Sequence, residues 1–137
     1  DSPANQIMYR EVAALVRLAR GQGDAAIALM DEAVEIVEGM RLPNGAANPV
    51  KPPYELYGEI LLELDRPAEA VTWFETSLQR MQGRARSLLG LARAAARSGD
   101  RATAAEQYAK LLSNWQGHDD LPGYGEASRF VRQSNDQ

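Results

Sequence analysis

The sequence predicts an all-α fold of about three helical hairpins followed by a capping helix, and three observations point to it. Apolar residues recur at intervals of three and four along most of the chain, which is the period of amphipathic helices. A pattern of small and large side chains repeats after about 34 residues, as expected for stacked helical units. No convincing strand pattern interrupts these segments.

Bulk composition limits the possible functions. At 137 residues the chain has the size of one domain and can form a core without disulfides or metal. It has no cysteine, which excludes thiolate chemistry and leaves the compartment open. A net charge of −4 argues against nucleic acid as the main partner, and no apolar run suggests a membrane span. Because it begins "DSPANQ", we expect it to be part of a longer protein.

The repeat is clearest in the middle of the chain. It predicts one hairpin at about 54–82 and another at about 85–115, with turns at "DRP" and "SGD". Proline fits the first turn of a helix and glycine commonly ends one, so this turn chemistry agrees with the repeat. The residue pairs that coincide are Ala70 and Ala104, Phe74 and Tyr108, Leu78 and Leu112, Tyr54 and Leu88, Tyr57 and Leu91, and Leu61 and Ala95.

These positions resemble the small and aromatic signature positions of tetratricopeptide repeats. The resemblance covers residues 51–118 and implies a right-handed α-solenoid in which the first helix of each hairpin lines a concave surface. Gln82 and Gln116 replace the proline that is usual near the end of each repeat. "KPPYELYGEILLEL" and "SLLGLARAAARSGD" also resemble the C-terminal part of longer uncharacterised bacterial tetratricopeptide proteins. The signature residues are Gly58, Ala70, Phe74 and Ser77, then Ala92, Ala104, Tyr108 and Leu111.

A weaker first hairpin is predicted at about 6–38, with its turn in "RGQGD". Aligning Gly23 with Gly99 suits its first helix, whereas aligning Ala26 with Ala70 suits its second, so we expect a shortened turn.

Two further segments complete the single predicted domain, 1–137. Residues 39–53 are rich in proline, glycine and asparagine and form either a long surface connection or a lid over a binding groove. A helix at about 122–132 is expected to cover the apolar end of the stack.

The sequence contains no recognisable catalytic constellation. Its one histidine, His118, lies in "HDD", which we interpret as a solvated turn rather than a metal site. No glycine-rich phosphate loop follows a strand. We therefore predict a protein that is not an enzyme and needs no cofactor.

Charged residues form stripes on the predicted first helices of the hairpins. Glu55, Glu59 and Glu63 follow one another at intervals of four, which places them on one helix face. The repeat puts Arg93 and Arg97 at the positions of the last two glutamates on the next helix. The resemblance implies that these stripes lie side by side in the concave groove.

The first hairpin adds a basic stripe. Arg10 and Arg17 are seven residues apart, which places them on one face of its first helix. If the alignment on Gly23 holds, the groove is basic, acidic and basic across successive helices. The predicted groove residues are Arg10, Arg17, Glu55, Glu59, Glu63, Arg86, Arg93 and Arg97.

Two interpretations of these stripes remain open. In the first, Glu59 pairs with Arg93 and Glu63 with Arg97, which holds the register of the hairpins and contributes about 0–1 kcal/mol per exposed pair. In the second, the mixed charges recognise a peptide through arginine forks.

The predicted function is a non-enzymatic module that binds a peptide or helix of a partner protein in the groove. The alternative is a structural or self-associating segment of a larger multi-repeat protein, which would form a homo-oligomer or pack on upstream repeats through an apolar end. An enzyme domain that binds a small molecule or metal is a third class.

Overall fold

The computed structural model describes residues 2–40 and 51–136, in which the regular elements are helices. Successive helices pack in pairs as the hairpins α1 with α2, α3 with α4 and α5 with α6, and the pairs stack in chain order. The all-α solenoid predicted from the sequence is thus confirmed. The helices are α1 Pro3–Ala19, α2 Gly23–Glu38, α3 Pro53–Glu63, α4 Pro67–Arg80, α5 Ala85–Arg97, α6 Arg101–Asn114 and α7 Tyr124–Asn135.

The three hairpin turns share one design. Gly21, Asp65 and Gly99 each lie two residues beyond the end of the first helix, with φ values of 74°, 58° and 89°. Because these turn residues are equivalent, the alignment that pairs Ala26 with Ala70 holds for both helices of the first hairpin. The shortened turn and the alignment of Gly23 with Gly99 are therefore wrong. "RGQGD" contains two glycines, and Gly21, not Gly23, supplies the left-handed residue.

Phe74 of α4 holds two hairpins together. Its ring is fully buried and lies against two glycines of neighbouring helices, Gly58 of α3 and Gly90 of α5. A Cβ atom would lie 2.8 Å from this ring at Gly58 and 2.2 Å from it at Gly90. The small residue at Gly58 thus makes room for an aromatic ring.

The C-terminal helix α7 covers the last hairpin. Ala127 is fully buried, and Phe130 and Val131 pack into the same cluster as Tyr108 of α6. The rings of Tyr108 and Phe130 have centroids 5.0 Å apart. A polar outer face remains on α7, where Arg129, Arg132 and Gln133 are exposed. Most of the predicted lid, residues 41–50, lies outside the described residues.

Candidate functional site: a charged groove

The first helices of the three hairpins, α1, α3 and α5, line a groove of about 570 Å³. Five of the eight residues predicted for it are in the lining, and the other three are not. The groove residues are Leu15, Leu18, Leu56, Glu59, Ile60, Leu62, Glu63, Arg86, Leu89, Gly90, Arg93 and Arg97.

The groove combines an apolar floor with charges of opposite sign. Leucines from all three helices and Ile60 supply the apolar surface. These apolar residues were not among the groove residues predicted from the sequence. Glu59 and Glu63 stand on α3, and the arginines stand on α5. The groove lining therefore offers apolar contact and charges of both signs.

Glu59 is the best connected of the groove carboxylates. Its Oε1 lies 2.8 Å from Lys51 Nζ, and its Oε2 lies 3.5 Å from Arg86 Nε. Glu63 is exposed and has no ion-pair partner among the described residues. Arg97 is also exposed, and its Nη1 donates a hydrogen bond to the carbonyl oxygen of Leu62 at 3.2 Å. Glu63 and Arg97 are therefore accessible to a ligand.

The predicted ion pairs of Glu59 with Arg93 and of Glu63 with Arg97 are wrong. The guanidinium of Arg93 forms a fork with Glu126 of α7, with Nη2 to Oε1 at 2.7 Å and Nε to Oε2 at 2.9 Å. The hydroxyl of Tyr108 donates to the same carboxylate. The Arg93 fork holds the pKa of Glu126 below its usual value despite partial burial. Glu126 lies outside the 34-residue repeat, so the repeat could not reveal it.

Glu55 does not line the groove, contrary to the sequence prediction. Its side chain is 0% exposed, and Arg84 holds it through a fork at 2.7 and 3.0 Å. Ser87 Oγ donates to Glu55 Oε1 at 2.7 Å, and Lys51 donates to Oε2. Burial alone would raise the pKa of Glu55, but these hydrogen bonds lower it below the usual value. Glu55 is thus an internal tie between α3 and the start of α5.

Arg10 and Arg17 also lie outside the groove lining. Arg10 Nε is 3.7 Å from Glu32 Oε1 of α2, and Arg17 Nη1 donates to Gln22 Oε1 at 2.9 Å. The corrected alignment explains this, because Leu15, not an arginine, matches Glu59 and Arg93. The groove is therefore apolar on α1, acidic on α3 and basic on α5, rather than basic, acidic and basic.

Glu11 of α1 is a buried carboxylate that was not among the residues predicted from the sequence. It is 4% exposed, and its Oε2 has no hydrogen-bond partner among the described residues. Burial raises its pKa to about 8, a rise that nearby Lys51 opposes and Glu55 reinforces. The corrected alignment places Glu11 on Glu55, and this coincidence is the sequence signal that could have revealed it.

Comparison with known proteins adds to these observations. A family model for the tetratricopeptide repeat matches residues 53–76 and 85–110, which fall within the second and third hairpins. The second and third hairpins therefore resemble tetratricopeptide repeats, a fold of protein-interaction modules. A comparison with curated proteins gave no match.

The tetratricopeptide architecture also relates the chain to a solved structure. The crystal structure of YrrB, a tetratricopeptide repeat protein with an unusual peptide-binding site, superposes with a TM-score of 0.62 at 16% identity. The match covers 88% of this chain and 57% of YrrB. The chain thus spans little more than half of YrrB, and at this identity the likeness concerns the fold.

The described residues hold neither a cluster of metal ligands nor a membrane-spanning helix. Across residues 2–40 and 51–136, no three or more histidine, aspartate or glutamate side chains cluster as metal ligands would. Each helix in those ranges is too short or too polar to serve as a membrane span.

Proposed function

We propose that the chain is a non-enzymatic interaction module that binds an extended peptide or a partner helix in the groove of α1, α3 and α5. One observation carries the proposal: the groove lining combines apolar residues of α1, α3 and α5 with acidic residues on α3 and basic residues on α5. Grooves of this kind bind peptides by seating apolar side chains and orienting them through a few polar groups.

The free charges suggest which ligand the groove would accept. Arg86 is 70% exposed, and among the described residues its ion-pair contact is the 3.5 Å one with Glu59, whereas the guanidinium of Arg93 is already occupied by Glu126. A ligand carboxylate would therefore meet Arg86 or Arg97. A ligand lysine or arginine would meet Glu63. A peptide with an apolar residue between an acidic and a basic one fits this arrangement.

The ligand side of the proposal can be tested with a library of random peptides displayed on phage. Peptides selected on the wild-type chain should carry an apolar residue flanked by charges of both signs. Their affinity, measured by isothermal titration calorimetry, should fall by about tenfold or more in the variant Arg86→Glu/Arg97→Glu, because charge-assisted contacts are replaced by repulsion.

A matched control changes the net charge equally on other surfaces. Arg20 and Arg132 are exposed and lie outside the groove, so Arg20→Glu/Arg132→Glu should bind within about twofold of wild type if the local contacts matter. Circular dichroism should show both variants folded. Failure to select any peptide, or equal binding by the two variants, would refute groove recognition.

A further inference from the structure

A second groove lies on the other side of α5 from the charged groove. It has a volume of about 450 Å³ and lies where the second hairpin meets the third, with the first hairpin before them and α7 after them. Leu91 and Ala95 line it, whereas Arg93 lines the charged groove, because a step of two residues nearly reverses the direction of a helical side chain. We call it the back groove, and its lining includes Val71, Glu75, Leu91, Ala95, Ser98 and Gln107.

The equivalent positions between the first and second hairpins carry larger side chains. Alignment through the hairpin turns pairs Leu91 with Tyr57 and Gln107 with Trp73. The rings of Tyr57 and Trp73 stack there, with centroids 4.2 Å apart and 10° between their planes. The back groove is bordered by the smaller member of each of these pairs. The same holds for Val71 paired with Ile27, Ala95 with Leu61 and Ser98 with Leu64.

Two polar side chains of the back groove are without partners. Gln107 is only 7% exposed, yet its side-chain amide forms no hydrogen bond to the residues that the structure describes. Glu75 is exposed, and its carboxylate has neither an ion pair nor a hydrogen bond within the same residues. Buried amides are normally hydrogen-bonded, so Gln107 marks a place where a ligand can supply the missing group.

The interface of the first two hairpins shows what kind of group fits. Asp31 of α2 stands at the position of Glu75, and the hydroxyl of Tyr57 donates a hydrogen bond to it at 2.6 Å. In the back groove the carboxylate is present and the phenol is missing, because Leu91 replaces Tyr57. Gln107 also borders an adjoining cavity of about 390 Å³, which leaves room for a main chain that carries a phenol.

We propose that the back groove binds a tyrosine side chain of a partner protein. The ring would lie against Leu91, in the space that larger side chains fill between the first two hairpins, and its hydroxyl would donate a hydrogen bond to Glu75. The amide of Gln107 would pair with the main chain beside the tyrosine. This site lies across α5 from the charged groove and does not depend on ligand binding there.

The first experiment titrates N-acetyl-L-tyrosinamide into the whole chain and follows it by NMR. The signals of the Gln107 side-chain amide and the Leu91 methyl groups should shift together and saturate, with a dissociation constant on the order of 1 mM for so small a probe. N-acetyl-L-phenylalaninamide should bind about fivefold more weakly, because it cannot donate to Glu75. Shifts that do not saturate, shifts in the charged groove alone, or equal binding of the two probes would overturn the proposal.

Two variants test the individual contacts. Glu75→Met removes the acceptor and should abolish the preference for tyrosine, whereas Glu35→Met, at an exposed position of α2, should keep it. Gln107→Trp places an indole at the position equivalent to Trp73 and should weaken both probes by at least about tenfold, with Gln133→Trp on α7 as its control. A tyrosine preference that survives Glu75→Met would overturn the proposal whether or not Gln107→Trp folds. Equal binding by the two tryptophan variants, both folded by circular dichroism, would do the same.

Discussion

Glu11 and Glu55 occupy the same position in two successive hairpins but differ in how their carboxylates are supported. Each lies ten residues before the left-handed turn residue of its hairpin, and each is buried. Glu55 is held by Arg84, Ser87 and Lys51, and its pKa is lowered. Glu11 has an oxygen without a partner among the described residues, and its pKa is raised to about 8.

The difference lies in what the following hairpin supplies. Ser87 of α5 donates a hydrogen bond to Glu55, but the equivalent residue of α3 is Pro53, which has neither a hydroxyl nor a backbone N–H. Val50 stands in the sequence where the next repeat has Arg84. Donors from the next hairpin thus help to stabilise the buried carboxylate as an anion in Glu55, whereas α3 offers no such side chain at Pro53 to Glu11.

The largest effect should follow from removing the arginine fork of Glu55. Arg84→Met leaves a fully buried carboxylate with weaker support, so we expect the free energy of unfolding at pH 7 to fall by about 3 kcal/mol. Urea denaturation measures this loss. Arg86→Met, two residues away and 70% exposed, is the control and should cost less than about 0.5 kcal/mol. Similar losses in the two variants would show that the fork adds little.

Replacing Glu11 should raise the free energy of unfolding at pH 7 instead of lowering it. Glu11 has an ordinary pKa of 4.5 in the unfolded chain and about 8 in the folded chain, so the folded state binds more protons between these values. Its contribution to stability is therefore present at low pH and is lost as pH rises from 4.5 to 8. Glu11→Gln should stabilise the chain by about 2 kcal/mol at pH 7 and by little at pH 4.5.

Thermal unfolding of wild type and Glu11→Gln across pH 4–8 would test this sign. Glu55 behaves oppositely, since its lowered pKa gives a contribution that is lost as pH falls through the acidic range, but both chains retain it. The difference between the two chains therefore reports on Glu11. A stability difference between wild type and Glu11→Gln that stays constant with pH would contradict the raised pKa of Glu11.

Lys51 influences both Glu11 and Glu55, and its substitution should have a smaller effect than that of Arg84 or Glu11. It pairs with Glu55 and Glu59, and its charge opposes the raised pKa of Glu11. Lys51→Met should reduce the free energy of unfolding at pH 7 by about 1 kcal/mol, because Arg84 remains on Glu55. The same change should raise the pKa of Glu11 further, as followed by NMR titration. An unchanged Glu11 titration would show that Lys51 does not influence it.

The smallest predicted effect comes from giving Glu11 a hydrogen-bond donor like the one that Ser87 gives Glu55. Pro53→Ser places a hydroxyl at the position of Ser87, so the pKa of Glu11 should fall from about 8 by roughly one unit. NMR titration of the Glu11 carboxyl carbon measures this shift. Pro53→Ala removes the ring without adding a donor and is the matched control. A fall of equal size in both variants would assign it to altered packing.

The parts of the fold that follow from local periodicity could be predicted from the sequence. The 34-residue shift located the second and third hairpins, because turn residues and buried small residues recur there together. The first hairpin was misaligned because Gly21 and Gly23 both fit a turn, and only the backbone angle at Gly21 decides between them. Because of that error, Arg10 and Arg17 were predicted to line the groove and Leu15 was not.

The candidate site was predictable only where it lies within the repeat. Glu59, Glu63, Arg86, Arg93 and Arg97 reach the groove because they share one side of successive first helices. Their bonding partners were not predictable, since Glu126 comes from a helix without a counterpart in the repeat and Arg84 precedes α5. A repeat pattern reports equivalent positions, whereas ion pairs depend on the side chains that adjoining helices bring within reach.

The ring of Phe74 limits how closely α3 and α5 can approach α4. It is wedged between Gly58 and Gly90, and Gly90 is also part of the groove. Any side chain at Gly90 would have to push α5 away from α4, and this would change the curvature of the concave surface. Substitution of Phe74, which does not line the groove, would therefore also alter the shape of the concave surface.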